Sequence, residues 1–277
     1  MNIEALTGSP ATSTTPLGGT ARRVELADGR VVVAKRHDHV TALRAEVAGL
    51  RWLAGPVPVP SVLGYDDSWL VLELVEPGPP SPDAAASFGR ALASLHAAGA
   101  PAFGAPPPDG PVDAWIGLAP MRNETGSSWP PWYTAHRVLP YLRAAVDRGA
   151  LGDADARAVE SVCERLPELA GPASPPARLH GDLWSGNVRW AADGRVWLID
   201  PAAHGGHRET DLAMLALFGC AELDRIVAAY DEAAPLADGW RGRIGLHQLF
   251  PLLVHAVLFG GGYGVQAGAA ARSALRG

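Results

Sequence analysis

The chain has 277 residues, of which 48% are hydrophobic and 19% charged, and its net charge is -6. That length supports two modest lobes or one large domain, the composition excludes a disordered chain, and the lack of any Lys/Arg block argues against a nucleic-acid partner. Cys163 and Cys220 stand outside any CxxC or Cys/His cluster, as two reduced thiols would, rather than a disulfide scaffold or a zinc site. Residues 1–20 lack a basic region followed by an apolar run, and the longest apolar stretch, 249–260, is interrupted by Pro251 and His255. No membrane partner is expected, and the predicted location is cytoplasmic.

Residues 22–35 predict a hairpin, with Val24 and Leu26 alternating with polar neighbours, Asp28-Gly29 as the turn, and Val31 to Lys35 returning as a strand. Leu43, Val47, Leu50 and Ala54 fall at helical spacing over 40–54, and Gly55-Pro56 ends the helix. Residues 56–60 form an extended connector, and 69–75 has the length and apolar content of a strand. Glu76-Pro77-Gly78-Pro79-Pro80 is a break of the kind that joins lobes. Beyond it, 83–98 is a helix with Phe88, Leu92 and Leu95 on one face, and 100–131 is a Pro/Gly-rich loop carrying Trp115 and Trp129. Residues 133–170 are helical, 187–200 predict a second hairpin turning at Asp193-Gly194, and 209–275 is mostly helical. The expected architecture is α+β and bilobal: a small β-rich N-lobe with one helix over residues 1–76, a larger mainly helical C-lobe over 77–277, and a cleft between them.

The segment with the most chemistry in it is HGDLWSGN at 180–187, followed by Leu198-Ile199-Asp200-Pro201. Phosphoryl transfer needs a carboxylate to orient and deprotonate the acceptor hydroxyl, oxygen ligands for magnesium, and a cation on the nucleotide phosphates. Protein kinases supply these with HRDxxxxN and a later metal-binding Asp. Here Asp182 and Asn187 keep that five-residue spacing, and Asp200 ends an apolar strand that a hairpin can fold back onto the loop. Taken alone, an HGD is often a turn with an Asp cap and a strand ending in Asp is common; together, in this order, they point to a protein-kinase-like fold binding ATP and Mg²⁺. Gly181 stands where protein kinases use an Arg to hold a phosphorylated loop, so regulation of that kind is not expected.

Lys35 stands at the end of the predicted second strand, the place of the phosphate-binding lysine in that fold. Glu46 on the next helix is its expected ion-pair partner, with Arg36 and Glu73 as competitors. The loop 14–20, with Gly18 and Gly19, is placed to cover phosphates with backbone amides, although it is not GxGxxG. Backbone groups from Glu73 to Val75 are expected to meet adenine.

HGDLWSGN, DPAAHGGHRETDLAMLALFG at 200–219, HQLFPLLVHAVLFGGGY at 247–263, and the N-lobe pieces at 23–37 and 44–53 closely resemble the fructosamine-3-kinase / ketosamine-3-kinase family. The resemblance spans about residues 14 to 264 and is far more specific than HGD…N…D, which aminoglycoside and choline kinases share. It implies ATP-dependent transfer of the γ-phosphate to the 3-hydroxyl of a 1-amino-1-deoxy-ketose, free or attached to a protein lysine, after which the adduct falls apart and glycation is reversed. Carried onto this chain, Asp182 is the catalytic base, Asn187 and Asp200 are magnesium ligands, and Lys35 with Glu46 is the phosphate clamp. Trp184 would stack on the sugar or on a cationic amine, against the alternative of a core Trp supporting the loop. Asp211 reads as a helix cap or loop anchor; Glu209, His204 and His207 have no assigned role. Some family members carry a redox-switch cysteine in the glycine-rich loop; loop 14–20 has none. The rival readings are a kinase for another small hydroxylated amine and a nucleotide-binding module without turnover.

Overall fold

The computed structural model describes residues 2–276. Helix α1 (Ile3–Thr7) is followed by β1 (Ala11–Gly18), β2 (Ala21–Leu26), β3 (Val31–Arg36), α2 (Val40–Leu53), β4 (Val62–Tyr65) and β5 (Trp69–Glu73). The strands form one antiparallel sheet in the order β1-β2-β3-β5-β4. The alternation read from the sequence sets its faces. Val24, Leu26, Val32, Ala34 and Val71 are buried with Ile3 of α1. On the opposite face Leu70 and Leu72 meet Leu43, Val47 and Leu50 of α2. Gly29 turns the β2–β3 hairpin at φ 88°.

Two expectations for this region are corrected. Residues 14–18 belong to a strand, β1, and only Gly19 and Thr20 make the turn into β2, so Lys35 lies on the third strand. Ser and β-branched Thr favour extended backbone and Pro16 is tolerated on a sheet edge, but β1 is almost wholly exposed and lacks the apolar alternation that marks a half-buried strand. Strand β5 ends at Glu73 rather than residue 75, and β4 was not anticipated.

The connector after β5 is pinned rather than loose. Gly78 N–H donates to the Trp190 carbonyl at 2.8 Å, and a Cβ on Gly78 would meet Ala191 O at 2.5 Å. Ser81 then caps α3 (Pro82–Ala97), its Oγ accepting from Ala84 N at 3.2 Å. Within the expected 100–131 loop lies a hairpin, β6 (Asp113–Ile116) and β7 (Ala119–Arg122). The helical stretch 133–170 divides into α4 (Trp129–Tyr133), a π-helical turn over Thr134–Val138, α5 (Leu139–Asp147) and α6 (Asp153–Leu169), with a break at Gly149 and Gly152. Then come β8 (Ala177–Leu179), a 3₁₀ turn at Ser185–Asn187, the hairpin β9 (Val188–Trp190) and β10 (Val196–Leu198), and β11 (His204–Gly206) paired to β8. Helices α7 (Glu209–Leu217), α8 (Leu223–Ala233), α9 (Ile244–Phe259) and α10 (Tyr263–Arg276) complete the chain.

One apolar core joins α5, α6, α9 and α10; another joins α3, α7 and α8 to Leu183, Val188 and Leu198 around the 180–200 segment. The result is a β-sheet N-terminal region and a helical C-terminal region, the α+β order expected from the sequence. Among the described residues no helix is long and apolar enough to cross a membrane.

Candidate active site

Strand β3 and helix α2 are separated by three residues, and this short link sets the first half of the site. Lys35 Nζ lies 2.8 Å from Glu46 Oε2 and 2.8 Å from Asp200 Oδ1, the latter 165 residues away in sequence. Glu46 is buried, and His37 Nε2 stands 3.2 Å from the same Oε2. Burial opposes ionisation of Glu46, but the Lys35 charge and the contact with His37 outweigh it and hold the carboxyl down at about 2. Burial likewise opposes the charge on Lys35, and Glu46 and Asp200 together raise it above the ordinary lysine value. The competing partners are engaged elsewhere: Glu73 Oε2 accepts from Ser61 Oγ at 2.9 Å, and Arg36 lies 3.7 Å from Asp38. Lys35 is the chain's only lysine; the other side-chain cations fixed by their pKa are arginines.

The second half is the 180–187 loop. His180 is buried and neutral: Asp182 N–H donates to its Nδ1 at 3.3 Å, so its Nε2–H donates to Ile199 O at 2.9 Å. Gly181 has φ +81°, and a Cβ there would fall 2.2 Å from Ala202 O. No arginine or other side chain fits at that position. Asn187 Nδ2 donates to the Asp182 carbonyl at 2.8 Å and to Asp182 Oδ2 at 3.1 Å. Its Oδ1 is left without a hydrogen-bond donor among the described residues. Asp200 takes φ +53°, a left-handed conformation that Asp tolerates better than most residues and that fixes the carboxylate opposite Lys35.

Asp182 has its pKa pushed up to about 7. Burial is the main cause; the hydrogen bond from Asn187 opposes it, and the charges of Asp200 and Asp211 add to it. The side chain is nonetheless only half-buried, because it opens onto a cavity of about 510 Å³. Lys35, Glu46, Asp182, Trp184, Asn187 and Asp200 all line that cavity. Trp184 is 37% exposed, lies over Gly186 and meets Phe218 edge-on at 6.2 Å, so it is a wall of the cavity rather than a core Trp. Gly18, Gly19, Glu73 and Val75 are not among the residues around this cavity; Thr20 is.

Asp211 is the anchor of the loop. It is fully buried and accepts from His180 N–H at 2.8 Å and Gly181 N–H at 3.0 Å, with His96 Nε2 at 3.2 Å. Although it lies in the first turn of α7, its side chain satisfies loop amides instead of helix amides. Loss of a helix cap costs about 1 kcal/mol. Asp211→Ala, which strands two buried amides and a histidine, is expected to cost about 3–5 kcal/mol, read as the loss of unfolding free energy in urea. His96 was not singled out in the sequence; its place at the last turn of an apolar helix face is the only local signal.

His204, His207 and Glu209 lie outside this cavity. His204 Nδ1 is 2.8 Å from Ala202 O, and burial is the chief cause holding its pKa down at about 3. Glu209 forms a two-pronged pair with Arg243, at 2.8 and 2.6 Å. His207, Glu209 and His247 have ligand atoms within 4.8 Å of one another. This group reads as a hydrogen-bond network: Glu209 N–H donates to His207 Nδ1, His247 Nδ1 faces Thr210 Oγ1, and Arg243 occupies both Glu209 oxygens.

The chain matches the fructosamine kinase family over residues 19–276. A crystal structure from Thermobifida fusca, provisionally assigned as a fructosamine-3-kinase, superposes with a TM-score of 0.92 at 50% identity, covering 99% of this chain and 97% of that one. A Thermus thermophilus protein provisionally named a ketoamine kinase is 36% identical over 237 residues, covering 85% of this chain and 84% of its own. A macrolide 2'-phosphotransferase from Brachybacterium faecium, 18% identical, superposes with a TM-score of 0.62 over 97% of this chain and 96% of its own, a likeness of fold alone. The fold is therefore the kinase-like one expected from HGD…N…D, and with a match over nearly its whole length this chain belongs to the fructosamine kinase family.

Proposed function

We propose that this protein is an ATP- and magnesium-dependent kinase that phosphorylates the 3-hydroxyl of ketosamines, free or carried on protein lysines, and so promotes deglycation in the cytoplasm. The lobe boundary is taken at residues 76 and 77. The observation that carries the reading is the 2.8 Å contact between Lys35 and Asp200, which sets a phosphate-binding cation beside two oxygen-bearing residues and the Asp182 carboxylate on one cavity.

The residues fit the implied groups. Asn187 Oδ1 and the Asp200 carboxylate are hard oxygen donors, suited to magnesium and not to a softer metal. Bound there, magnesium would neutralise charge on the phosphoryl group being transferred. Lys35, held by Glu46, would sit on the nucleotide phosphates. Backbone amides at Gly18 and Gly19 would cover them, and the backbone from Glu73 to Val75 would meet adenine. Asp182 would orient the acceptor hydroxyl and accept its proton; its raised pKa near 7 matches that task. Trp184, exposed beside Asp182, offers an apolar face to the sugar.

With ATP and magnesium, a fructosyl-lysine analogue is expected to be phosphorylated at least as well as any aminoglycoside, with a mass gain of one phosphate read by mass spectrometry. Turnover of kanamycin-like compounds with failure of every ketosamine would leave a kinase and overturn the acceptor. ATP binding without any acceptor turning over would overturn the enzyme reading.

A further inference from the structure

A second cavity, of about 540 Å³, opens on the far side of α2 from Lys35, and arginines line it: Arg44 and Arg51 from α2 and Arg178 from β8. Of the donors these three guanidiniums carry, only one is hydrogen-bonded among the described residues, Arg178 Nη1 to the Trp52 carbonyl at 2.8 Å. Arg178 Nε is buried and has no partner among the described residues. Among the described residues no carboxylate lies within 4.0 Å of Arg51 or Arg178, and Arg44 has only Asp67 at 3.6 Å. The one acid lining the cavity, Asp109, is paired with none of them.

Capping the end of α2 accounts for one donor of Arg178 and leaves the rest. Two of the guanidiniums are also held in place. Arg178 stacks over Trp52 at 4.9 Å and Arg51 over Tyr65 at 5.6 Å. Planar forks fixed by aromatic faces bind oxyanions with little further ordering. The whole chain carries a net charge of -6, so a hollow with three arginines and one acid runs against the molecule's overall sign.

We propose that this cavity is a binding site for a phosphate-bearing small molecule, held by Arg44, Arg51 and Arg178. Its position gives it a consequence. Helix α2 carries Glu46, the partner of Lys35, and β8 runs directly into His180 and Asp182. An anion clamped between Arg44 and Arg51 on one side and Arg178 on the other ties the helix behind the phosphate clamp to the strand behind the base. Occupancy stiffens both and favours the assembled site. The binding itself does not depend on the acceptor assigned above.

The test is a titration with pyrophosphate at fixed ionic strength, followed by melting temperature and calorimetry, on the wild type, on the Arg44→Ala/Arg51→Ala double variant, on Arg178→Gln and on Lys35→Met. Arg44 and Arg51 are exposed, so the double variant is expected to fold even if Arg178→Gln does not. Pyrophosphate is expected to stabilise the wild type and Lys35→Met alike. Its dissociation constant is expected to rise at least about tenfold in the double variant, the loss expected when a charge-assisted hydrogen bond is removed. Stabilisation lost in Lys35→Met but kept in the double variant would assign the anion to the nucleotide site and overturn the proposal. Equal binding by all variants, or none by the wild type, would also overturn it. Citrate serves as the carboxylate arm: binding as tight as pyrophosphate would overturn the phosphate class.

Discussion

Asp182→Asn is expected to lower kcat by roughly 10²–10⁴, the usual worth of a positioned general base, while nucleotide affinity stays within a few-fold of wild type. Asn is nearly isosteric and its Oδ1 still accepts the hydrogen bond that Asn187 Nδ2 now gives to Asp182 at 3.1 Å, so the loop has no reason to move. The stability effect has the opposite sign. The folded-state pKa of Asp182 is about 7 against an ordinary 3.8, so the folded protein holds this proton more tightly than the unfolded chain does. Stability from this group is therefore present at acid pH, falls as pH rises from about 4 towards about 7, and is level above that. The Asn variant lacks that penalty and is expected to melt no lower than wild type at pH 8. In the free wild-type enzyme, kcat/KM is expected to climb with pH up to about 7, as the base loses its proton. Turnover, ATP binding and melting temperature measured on one preparation decide the matter. Parallel loss of all three would make Asp182 a structural residue of the loop, and turnover within a few-fold of wild type would remove it from the chemistry.

Asp200→Ala is expected to remove turnover by at least about 10³-fold, since several kcal/mol of charge stabilisation at 1.4 kcal/mol per decade is at stake. The fold is expected to persist. The Asp200 side chain is 44% exposed on the cavity, and Lys35 keeps Glu46 at 2.8 Å when Asp200 is gone. A half-exposed ion pair contributes about 1 kcal/mol or less. Ala is less at ease than Asp at φ +53°, so a small drop in melting temperature is expected, and Asp200→Asn, which tolerates that conformation, separates strain from chemistry. An Asp200→Asn protein that folds, binds nucleotide and still fails to turn over supports the ligand role. A folded Asp200→Ala protein with near-normal turnover would exclude it.

What the sequence determined by itself was local. Alternating apolar residues and Asp-Gly turns placed β2, β3 and the β9–β10 hairpin, and helical spacing placed α2 and α3, because these patterns report which face of an element meets a core. The spacing of Asp182, Asn187 and Asp200 was legible for the same reason: one loop and one hairpin carry all three, and Asn187 Nδ2 reaches both Asp182 and the Asp200 carbonyl. The tertiary structure decided the rest. Strand β1 has no buried face and left no periodic signal; only pairing with β2 makes it a strand. Lys35 had two candidate acids in the sequence, Glu46 and Glu73, and packing of α2 on the sheet chose Glu46 and buried it. Asp211 sits where a helix cap would sit, yet it serves two amides 30 and 31 residues upstream. The arginines around Trp52 come from α2 and from β8, so the cavity they share exists only once the sheet region and the helical region are packed together, and no local pattern encodes a contact between elements so far apart in the chain.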